Sequence, residues 1–419
     1  MRAQLTRRAV LAALAASACR RIPDEPGALP GFPLGVASGD AGADTVVVWT
    51  RFTGTEALVL EVWPRADEAQ VSRFDVSPDA TGIVARTLEG LSPFTWYGYR
   101  FVGGELSSEK GQFKTAPAPG ALVPLSLMAT SCARQTQPLA PLKWAAENVE
   151  LDVWLCLGDA VYADGAFSED EYRAKWREGL ARFPNRAIRA ATSTIATWDD
   201  HEAVDNLSDL DDVRQVENAR RVFFEHQPMR RDAPERIWRS RRWGDTAQIF
   251  VLDCRGERNH TTHEYISRAQ LDWLKSAVAA SPATFKLIMN SVPISSFPGA
   301  LYGALADDRW EGWPEQRREV LEFMDSQPGV LWLSGDFHMG VAGRVALTGP
   351  GEKQLEFATG PAGSNLPNPA LSYPAPPQFD FASSINNVTL LDLDPVTRRV
   401  HVRFVSGEGQ TLFERDYDV

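Results

Sequence analysis

The chain has 419 residues, which is long enough for two domains. Hydrophobic residues make up 44% of it and charged residues 23%, the composition of an ordinary globular protein. Its formal net charge is −12, and because a phosphate backbone is bound by a basic face, the composition argues against a nucleic-acid partner.

The N-terminal segment LTRRAVLAALAASAC contains a pair of arginines followed by a short apolar run that ends in small residues. This pattern resembles a twin-arginine export signal, and the run is too short to span a membrane as a helix. We therefore expect residues 1–28 to be a signal peptide and the protein to be periplasmic or secreted. The Ala-Ser-Ala before Cys19 resembles a lipoprotein processing site, so Cys19 is a candidate lipid anchor, with a plain cleaved signal peptide as the alternative.

Residues 29–117 are predicted to form a small N-terminal β-sandwich. Short alternating or apolar runs (TVVVWTRF, LVLEVWP, TWYGYRFV and GQFKT) are separated there by turn-rich segments. The segment TLEGLSPFTWYGYRF resembles a corner of a fibronectin-type sandwich, and the Pro- and Ala-rich segment TAPAPGALVP predicts a domain boundary. Because this part contains no histidine or cysteine, we do not expect it to hold a catalytic site.

From residue 118 to residue 419, strand-like runs alternate with helical patterns such as SRAQLDWLKSAVAAS, which has a serine at its N-cap position. This alternation predicts a layered α/β domain. The four cysteines of the chain are too few and too irregularly spaced to predict a disulfide framework. Cys156 lies inside the apolar run VWLCL and is expected to be a core residue.

Five of the predicted strands end in residues that can bind metal ions. These strand-end segments are Ser131-Cys132, Gly158-Asp159 with Tyr162, Asp199-Asp200-His201-Glu202, Asn290, and Gly335-Asp336-Phe337-His338. The carboxyl ends of parallel strands meet at one sheet edge, where ligands bind. A single aspartate after a strand is usually a turn residue. Several carboxylates at one edge repel each other without a cation, so the repeated pattern predicts a metal cluster.

The segments SCAR, GDAVYADG, WDDHEAVDN, LDCRGER, WEGWPEQRR and LSGDFH occur in this order and together resemble the D-type (PhoD-like) alkaline phosphatases. More distantly, they resemble purple acid phosphatases and the wider calcineurin-like metallophosphoesterases. The resemblance covers most of the chain and implies an α/β fold, a four-layer α/β/β/α metallophosphoesterase domain preceded by a small fibronectin-like β-sandwich. It also implies an exported, metal-dependent phosphoester hydrolase that uses a metal-bound hydroxide at a ferric iron–calcium site.

The resemblance implies that four residues bind the ferric iron: Cys132, Asp159, Tyr162 and His338. Thiolate, phenolate and imidazole are donors that suit this ion. Asp159 is expected to bridge to the calcium ion, whose further oxygen ligands would be Asp200, Asn290 and Asp336. Asn290 has a structural alternative, a strand-end amide that caps a turn. Asp205 and Asn206 are further candidates for the calcium site, or they cap local backbone.

His201 and Arg134 are the predicted catalytic residues. If Asp200 faces the metal, the adjacent His201 can face the substrate as a general acid or oxyanion stabiliser; a buried structural histidine is the alternative. Arg134 can place its guanidinium fork on a phosphate oxygen. The remaining histidines are expected at the surface: His226, His260, His263 and His401.

Further candidates have structural alternatives that the sequence leaves open. Arg255 and Arg258 resemble a family Asp-x-Arg segment, and an ion pair with Asp253 or Glu257 is equally open. Trp310 and Trp313 occupy the family's aromatic-Gly-aromatic segment and can be packing residues. The C-terminal segment VHVRFVSGEGQTLFERDYDV has the pattern of a β-hairpin. Since some D-type enzymes cover the site with a C-terminal helix, the hairpin suggests a more open site.

The expected substrate is a small-molecule or lipid phosphoester. One alternative is a phosphodiesterase or phospholipase specialised for lipid or nucleotide diesters. Another is a non-catalytic surface lipoprotein whose metals are structural and whose sandwich binds a partner.

Overall fold

The computed structural model describes residues 27–233, 236–297, 306–364 and 377–419. The twin-arginine pair and Cys19 lie outside the described residues, so export and lipidation stay predictions. Within the described ranges, the helices are all too short or too polar to cross a membrane.

The N-terminal part is built from short strands. In chain order they are β1 Val36–Gly39, β2 Val46–Arg51, β3 Leu58–Pro64, β4 Ser72–Val76, β5 Ile83–Leu88, β6 Trp96–Gly103, β7 Leu106–Ser107 and β8 Gly111–Lys114. The next part of the chain alternates strands and helices. Its described strands are β9 Leu125–Ala133, β10 Val153–Leu157, β11 Ser193–Thr197, β12 Arg239–Trp243, β13 Ala247–Val251, β14 Phe285–Asn290, β15 Val330–Ser334, β16 Gly340–Arg344, β17 Leu355–Ala358, β18 Pro361–Gly363, β19 Phe379–Ser383, β20 Asn387–Asp394, β21 Arg399–Ser406 and β22 Thr411–Asp418.

The described α-helices are α1 Ala140–Asn148, α2 Glu169–Leu180, α3 Phe183–Ala191, α4 Val213–His226, α5 Arg268–Ala279 and α6 Pro314–Asp325. Helix α2 begins with a capping box, in which Ser168 and Glu171 bond each other's backbone N–H groups. Ser267 caps α5 as the sequence predicted, because its hydroxyl accepts a hydrogen bond from the backbone of Gln270.

Two large sheets form the centre of the molecule. One has the order β22-β21-β20-β9-β10-β11-β1-β2-β5, and the other has the order β12-β13-β14-β15-β17-β16-β19. Leu127 of β9 and Leu287 of β14 belong to one apolar cluster between the sheets. On the opposite faces, Met128 packs with α1 and α3, and Ile288 packs with α5 and α6. The four predicted layers, α/β/β/α, are therefore confirmed.

The N-terminal sandwich is also confirmed. A smaller sheet of order β4-β3-β6-β7, with β8 paired to β6, packs against β1, β2 and β5 through an apolar cluster that includes Leu60 and Phe101. Strand β1 also pairs in parallel with β11, so one face of the sandwich continues the first large sheet. The boundary predicted after residue 117 lies between β8 and β9 and stays a prediction. The predicted C-terminal hairpin is formed by β21 and β22 at the far edge of the same sheet.

His226 is buried, so its predicted surface position was wrong, whereas His260, His263 and His401 are at least partly exposed. The His226 ring stacks on Trp176 with 5.5 Å between ring centroids. Its Nδ1 lies 2.9 Å from the carbonyl oxygen of Val222, and its Nε2 has no hydrogen-bond partner. An aromatic cluster at the end of α4 therefore holds a neutral imidazole, a feature that the sequence pattern did not show.

We expect His226 to make the protein less stable in acid. Burial lowers the pKa of His226 to about 3, whereas an unfolded chain protonates its histidines near pH 6.5. Below about pH 6.5 the unfolded state binds the extra proton, so stability falls as the pH decreases toward about 3. In urea unfolding of metal-stripped protein, His226→Phe should make this decline shallower, by up to about 1.4 kcal/mol per pH unit. Identical pH dependence in both proteins would contradict this explanation.

Candidate metal centre

The structure brings the strand-end residues of both large sheets together. Strands β9, β10 and β11 are neighbours in the first sheet, and β14 and β15 are neighbours in the second. Their carboxyl ends supply three sets of side chains whose ligand atoms all lie within 4.8 Å of one another. The sets are Cys132, Asp159 and His338; Asp159, Asp200 and His201; and Asp199, Asp200 and Asp336. Asp159 and Asp200 each belong to two sets, so the sets form one continuous cluster.

Backbone geometry turns these side chains toward the common edge. Cys132, Asp159, Asp336 and His338 have φ angles of 54°, 56°, 59° and 55°. Positive φ values are uncommon for residues other than glycine, and such residues cluster at functional sites, where the surrounding fold enforces them. Four of the ten described non-glycine residues with positive φ are therefore predicted metal ligands.

We define the thiolate group as Cys132, Asp159, Tyr162 and His338. The Tyr162 hydroxyl lies 3.2 Å from Asp159 Oδ2 and 3.2 Å from His338 Nε2. The Cys132 thiol lies 3.3 Å from the Ser131 hydroxyl and is fully buried. A thiol, a carboxyl, a phenol and an imidazole thus surround one point, as the sequence predicted for the iron ligands.

The electrostatics of this group favour a bound cation. Burial raises the pKa of Cys132 and of Tyr162 well above the usual values, and the nearby charge of Asp159 raises both further. Burial also raises the pKa of Asp159 well above its usual value. A bound metal ion would instead lower these pKa values, since thiolate, phenolate and carboxylate all bind it in their ionised forms. The donor set therefore fits a metal ion.

We define the carboxylate group as Asp159, Asp200 and Asp336. Backbone N–H groups orient Asp200: that of His201 donates to Oδ1 at 2.9 Å, and that of Asn206 donates to Oδ2 at 2.6 Å. Burial opposes ionisation of Asp200, but the positive charges of His201 and Arg255 outweigh it and lower the pKa of this carboxyl. Carboxylate oxygens are the ligands that a hard cation such as calcium prefers.

Asp199, the other member of the doublet, is held by Arg255. The guanidinium donates to Asp199 Oδ1 and Oδ2, both at 2.9 Å, and the Ser291 hydroxyl donates to Oδ1 at 2.7 Å. The Arg255 Nη2 that donates to Asp199 Oδ2 also lies 3.3 Å from Asp336 Oδ1. The sequence left open an ion pair of Arg255 or Arg258 with Asp253 or Glu257. Arg255 instead pairs with Asp199, Asp308 and Asp336, and Arg258 pairs with Asp308.

Asn290 lies in a different environment from the carboxylates. Its Oδ1 accepts hydrogen bonds from the Trp310 indole at 3.1 Å and from the Cys254 thiol at 2.8 Å, and its amide nitrogen donates to Val292. An indole N–H can only donate, which fixes the orientation of the amide. Asn290 is thus held in a buried hydrogen-bond network at the end of its strand, and its role as a metal ligand stays a prediction. Trp310 and Trp313 are both buried.

His201 is held beside the thiolate group. Its ring lies over that of Tyr162, with 4.0 Å between ring centroids. Its Nδ1 is 2.8 Å from Asp164 Oδ1, and its Nε2 is 3.9 Å from Asp205 Oδ1. Burial opposes its protonation, but the charges of Asp200, Asp159 and Asp164 outweigh this and raise the pKa of His201 well above its usual value.

Sequence reasoning did not identify Asp164, although it lies in GDAVYADG, five residues after Asp159. It also gave no role to Glu202. The buried Glu202 carboxylate accepts hydrogen bonds from the backbone N–H groups of Asp159 at 3.0 Å, Ala160 at 2.6 Å and Asp199 at 2.9 Å. Glu202 thereby fixes the turn that carries Asp159. Arg134 lies with its guanidinium 4.4 Å from the centre of the Tyr162 ring, next to the thiolate group.

Two family models match the chain: PhoD-like phosphatase over residues 127–394, and PhoD-like phosphatase, N-terminal domain, over residues 16–117. Alkaline phosphatase D of Bacillus subtilis (strain 168) is 26% identical over 375 residues. This match covers 73% of the present chain, which spans 64% of the length of that relative.

Two solved structures share the fold. The structure of PhoD has a TM-score of 0.78 and 22% identity, and the match covers 94% of this chain and 90% of that one. The purple acid phosphatase PPD1 from yellow lupin (Lupinus luteus) seeds has a TM-score of 0.69 and 13% identity, with coverage of 94% and 74%.

Proposed function

The chain belongs to the PhoD-like phosphatase family, and we propose that it is a metal-dependent phosphoester hydrolase. The family match confirms the resemblance that the six sequence segments carry. The observation that carries the functional proposal is that Asp159 lies in one set of possible ligands with Cys132 and His338 and in a second set with Asp200 and His201. The similarity to a protein named alkaline phosphatase D supports phosphoester chemistry.

We propose that the thiolate group binds ferric iron and that the carboxylate group binds calcium, with Asp159 shared between them. We leave Asn290 and Asp199 out of the proposed ligand sets. The single side-chain oxygen of Asn290 already accepts two hydrogen bonds, and both oxygens of Asp199 accept from the Arg255 guanidinium, whereas Asp336 has only Oδ1 near that guanidinium. The bound metals would lower the pKa of a water molecule and offset negative charge at phosphorus.

The chain's own residues would bind and protonate the substrate. Because Nδ1 of His201 bonds Asp164, Nε2 is the nitrogen left to protonate the leaving oxygen. Arg134, packed on Tyr162, would donate two parallel N–H groups to a phosphate oxygen pair. This division of roles makes His201 a general acid and Arg134 a substrate-binding residue. We also propose that the protein is exported and that residues 1–28 are its twin-arginine-type signal peptide.

Chelation tests this proposal directly. Mild treatment with EGTA should lower turnover of p-nitrophenyl phosphate by roughly a hundredfold or more, because metal-dependent charge stabilisation is worth several kcal/mol. Added calcium should restore the activity without added iron, since oxygen-only ligands exchange a hard cation more readily than the thiolate group exchanges iron. The metal content of each sample is measured in parallel.

The same assay with bis-p-nitrophenyl phosphate separates monoester from diester hydrolysis. Unchanged turnover after the metal content has fallen would contradict the proposed chemistry. Absence of turnover on both substrates in fully loaded protein would favour a non-catalytic role for the metals.

A further inference from the structure

Tyr162 lies in the turn between β10 and α2, outside the helices and strands. Its backbone N–H donates to Oε1 of Gln135 at 3.1 Å, and its carbonyl oxygen accepts a hydrogen bond from Nε2 of the same side chain at 2.9 Å. A backbone N–H can only donate and a carbonyl oxygen can only accept, so these two contacts fix the orientation of the Gln135 amide. One side chain therefore bonds both polar groups of the Tyr162 backbone.

Gln135 is itself well fixed. It has 5% of its surface exposed and lies in the turn after β9, three residues beyond Cys132. The guanidinium of Arg182, the residue before α3, donates to the backbone carbonyl oxygen of Gln135. The amide that holds Tyr162 is thus anchored to a neighbouring helix as well as to β9.

The Gln135 amide continues a link between the turns that follow β9 and β10. The backbone N–H of Ala133 donates to the carbonyl oxygen of Asp159 at 2.8 Å, just beyond the paired part of the two strands. At the next residue the backbone N–H bonds β18 instead. The side chain of Gln135 then supplies the next hydrogen bonds between the two turns, which reach Tyr162.

We propose that Gln135 is a positioning residue that holds the Tyr162 phenol at the metal centre. The inference rests on the proposed function, in which Tyr162 is a metal ligand. The phenol oxygen lies 3.2 Å from Asp159 Oδ2 and 3.2 Å from His338 Nε2, so a shift of its backbone would separate it from the other proposed ligands. Partners that orient metal ligands typically change metal affinity by about 10- to 100-fold when they are removed.

The ring of Tyr162 extends this effect to the proposed catalytic residues. The guanidinium of Arg134 lies 4.4 Å from the centre of the ring, and the imidazole of His201 lies 4.0 Å from it. By fixing the Tyr162 backbone, Gln135 also fixes the ring against which both side chains pack. Gln135 thereby acts on the site through Tyr162 and not by contact with the substrate.

The rate at which metal leaves the thiolate group tests the inference in the purified, metal-loaded protein. EGTA first removes the readily exchanged cation, and release of the remaining metal into excess EDTA is then followed by elemental analysis. Gln135→Met keeps a side chain of similar length but removes both hydrogen bonds to Tyr162. It should make release roughly tenfold faster or more, because the phenol is then no longer oriented.

Gln316→Met is the matched control. The buried Gln316 amide bonds the backbone N–H of Ile266 at 3.0 Å and its carbonyl oxygen at 2.8 Å, in the same manner, but Ile266 belongs to neither metal group. This variant loses the same kind of buried hydrogen bonds and should release metal at the wild-type rate. Equally fast release from both variants would indicate a general loss of stability and would overturn the inference.

Tyr162→Phe separates this inference from the proposed site. It keeps the ring and removes the phenol oxygen, so it should also release metal faster. Adding Gln135→Met to Tyr162→Phe should then speed release only a little further, because residues that act as a unit have non-additive effects. Additive effects would overturn the inference.

The single variants show which proposal fails. Wild-type release from Tyr162→Phe would remove Tyr162 from the proposed ligands, and the role of Gln135 would fail with it. Fast release from Tyr162→Phe together with wild-type release from Gln135→Met would overturn the role of Gln135 alone and leave the proposed metal site intact.

The visible spectrum gives a second readout, since a phenolate bound to ferric iron absorbs visible light by charge transfer. Gln135→Met should shift this band, and Gln316→Met should leave it in place. Gln135→Asn is the variant to use if Gln135→Met does not fold: it keeps the amide but is one methylene too short to bond both backbone groups of Tyr162. An unchanged band and an unchanged rate of metal release in Gln135→Asn would overturn the inference.

Discussion

Replacing Asp159 by asparagine should remove metal from both groups and lower kcat on p-nitrophenyl phosphate by roughly 10⁴-fold or more, since metal ions supply several kcal/mol of charge stabilisation. Asp159 is the residue that the thiolate group and the carboxylate group share. An amide has one oxygen and no charge, so it cannot replace a carboxylate in the proposed role of ligand to two cations. Elemental analysis of the purified variant, together with kcat, measures both effects.

Asp199→Asn is the matched control for this variant. Asp199 is buried at the same edge and follows the neighbouring strand, but its two oxygens accept hydrogen bonds from Arg255. We expect Asp199→Asn to keep both metals while it weakens the fold, because Arg255 then lacks its main ionic partner. Retention of two metal equivalents in Asp159→Asn would show that the shared-ligand assignment is wrong.

The fold and the cluster were predictable because both follow from local patterns. Continuous apolar runs such as Val153–Leu157 predict strands buried on both faces, and β10 is fully buried between two parallel neighbours. A carboxylate directly after such a run must lie at the carboxyl edge of the sheet. For that reason the sequence pattern alone predicts that Asp159, Asp200 and Asp336 lie at one site.

The partners of these residues were not predictable, because they depend on which distant segments meet. Arg255 reaches Asp199 across 56 residues of sequence, whereas the sequence alone offered only its near neighbours Asp253 and Glu257 as possible ionic partners. The hydrogen bond from the Trp310 indole to Asn290 likewise joins residues that are 20 positions apart in the sequence. His226 ends a helix, and nothing local indicates that Trp49 and Trp176 enclose it.

The role of His201 also depends on contacts between distant segments. We expect the loss of kcat on substitution of His201 to depend on the leaving group of the substrate. General acid catalysis typically contributes about 10²- to 10⁴-fold, and less when the leaving group is already a stable anion. His201→Ala should therefore lower kcat strongly for an alkyl phosphoester and much less for a nitrophenyl ester. The metal content should stay near that of the wild type, because Asp200 and not His201 is the proposed ligand. Equal losses on both substrates would indicate phosphate binding instead of proton transfer.

Asp164 allows this mechanism to be separated from a general weakening of the site. If Asp164 acts by orienting His201, Asp164→Asn should also lower kcat more for the alkyl ester than for the nitrophenyl ester, though less strongly than His201→Ala, in an otherwise intact protein. In a His201→Ala background, Asp164→Asn should then lower kcat only a little further, because residues that act as a unit have non-additive effects. Additive losses for Asp164 and His201 would show that the two residues act separately, and loss of metal in His201→Ala would place the imidazole among the metal ligands.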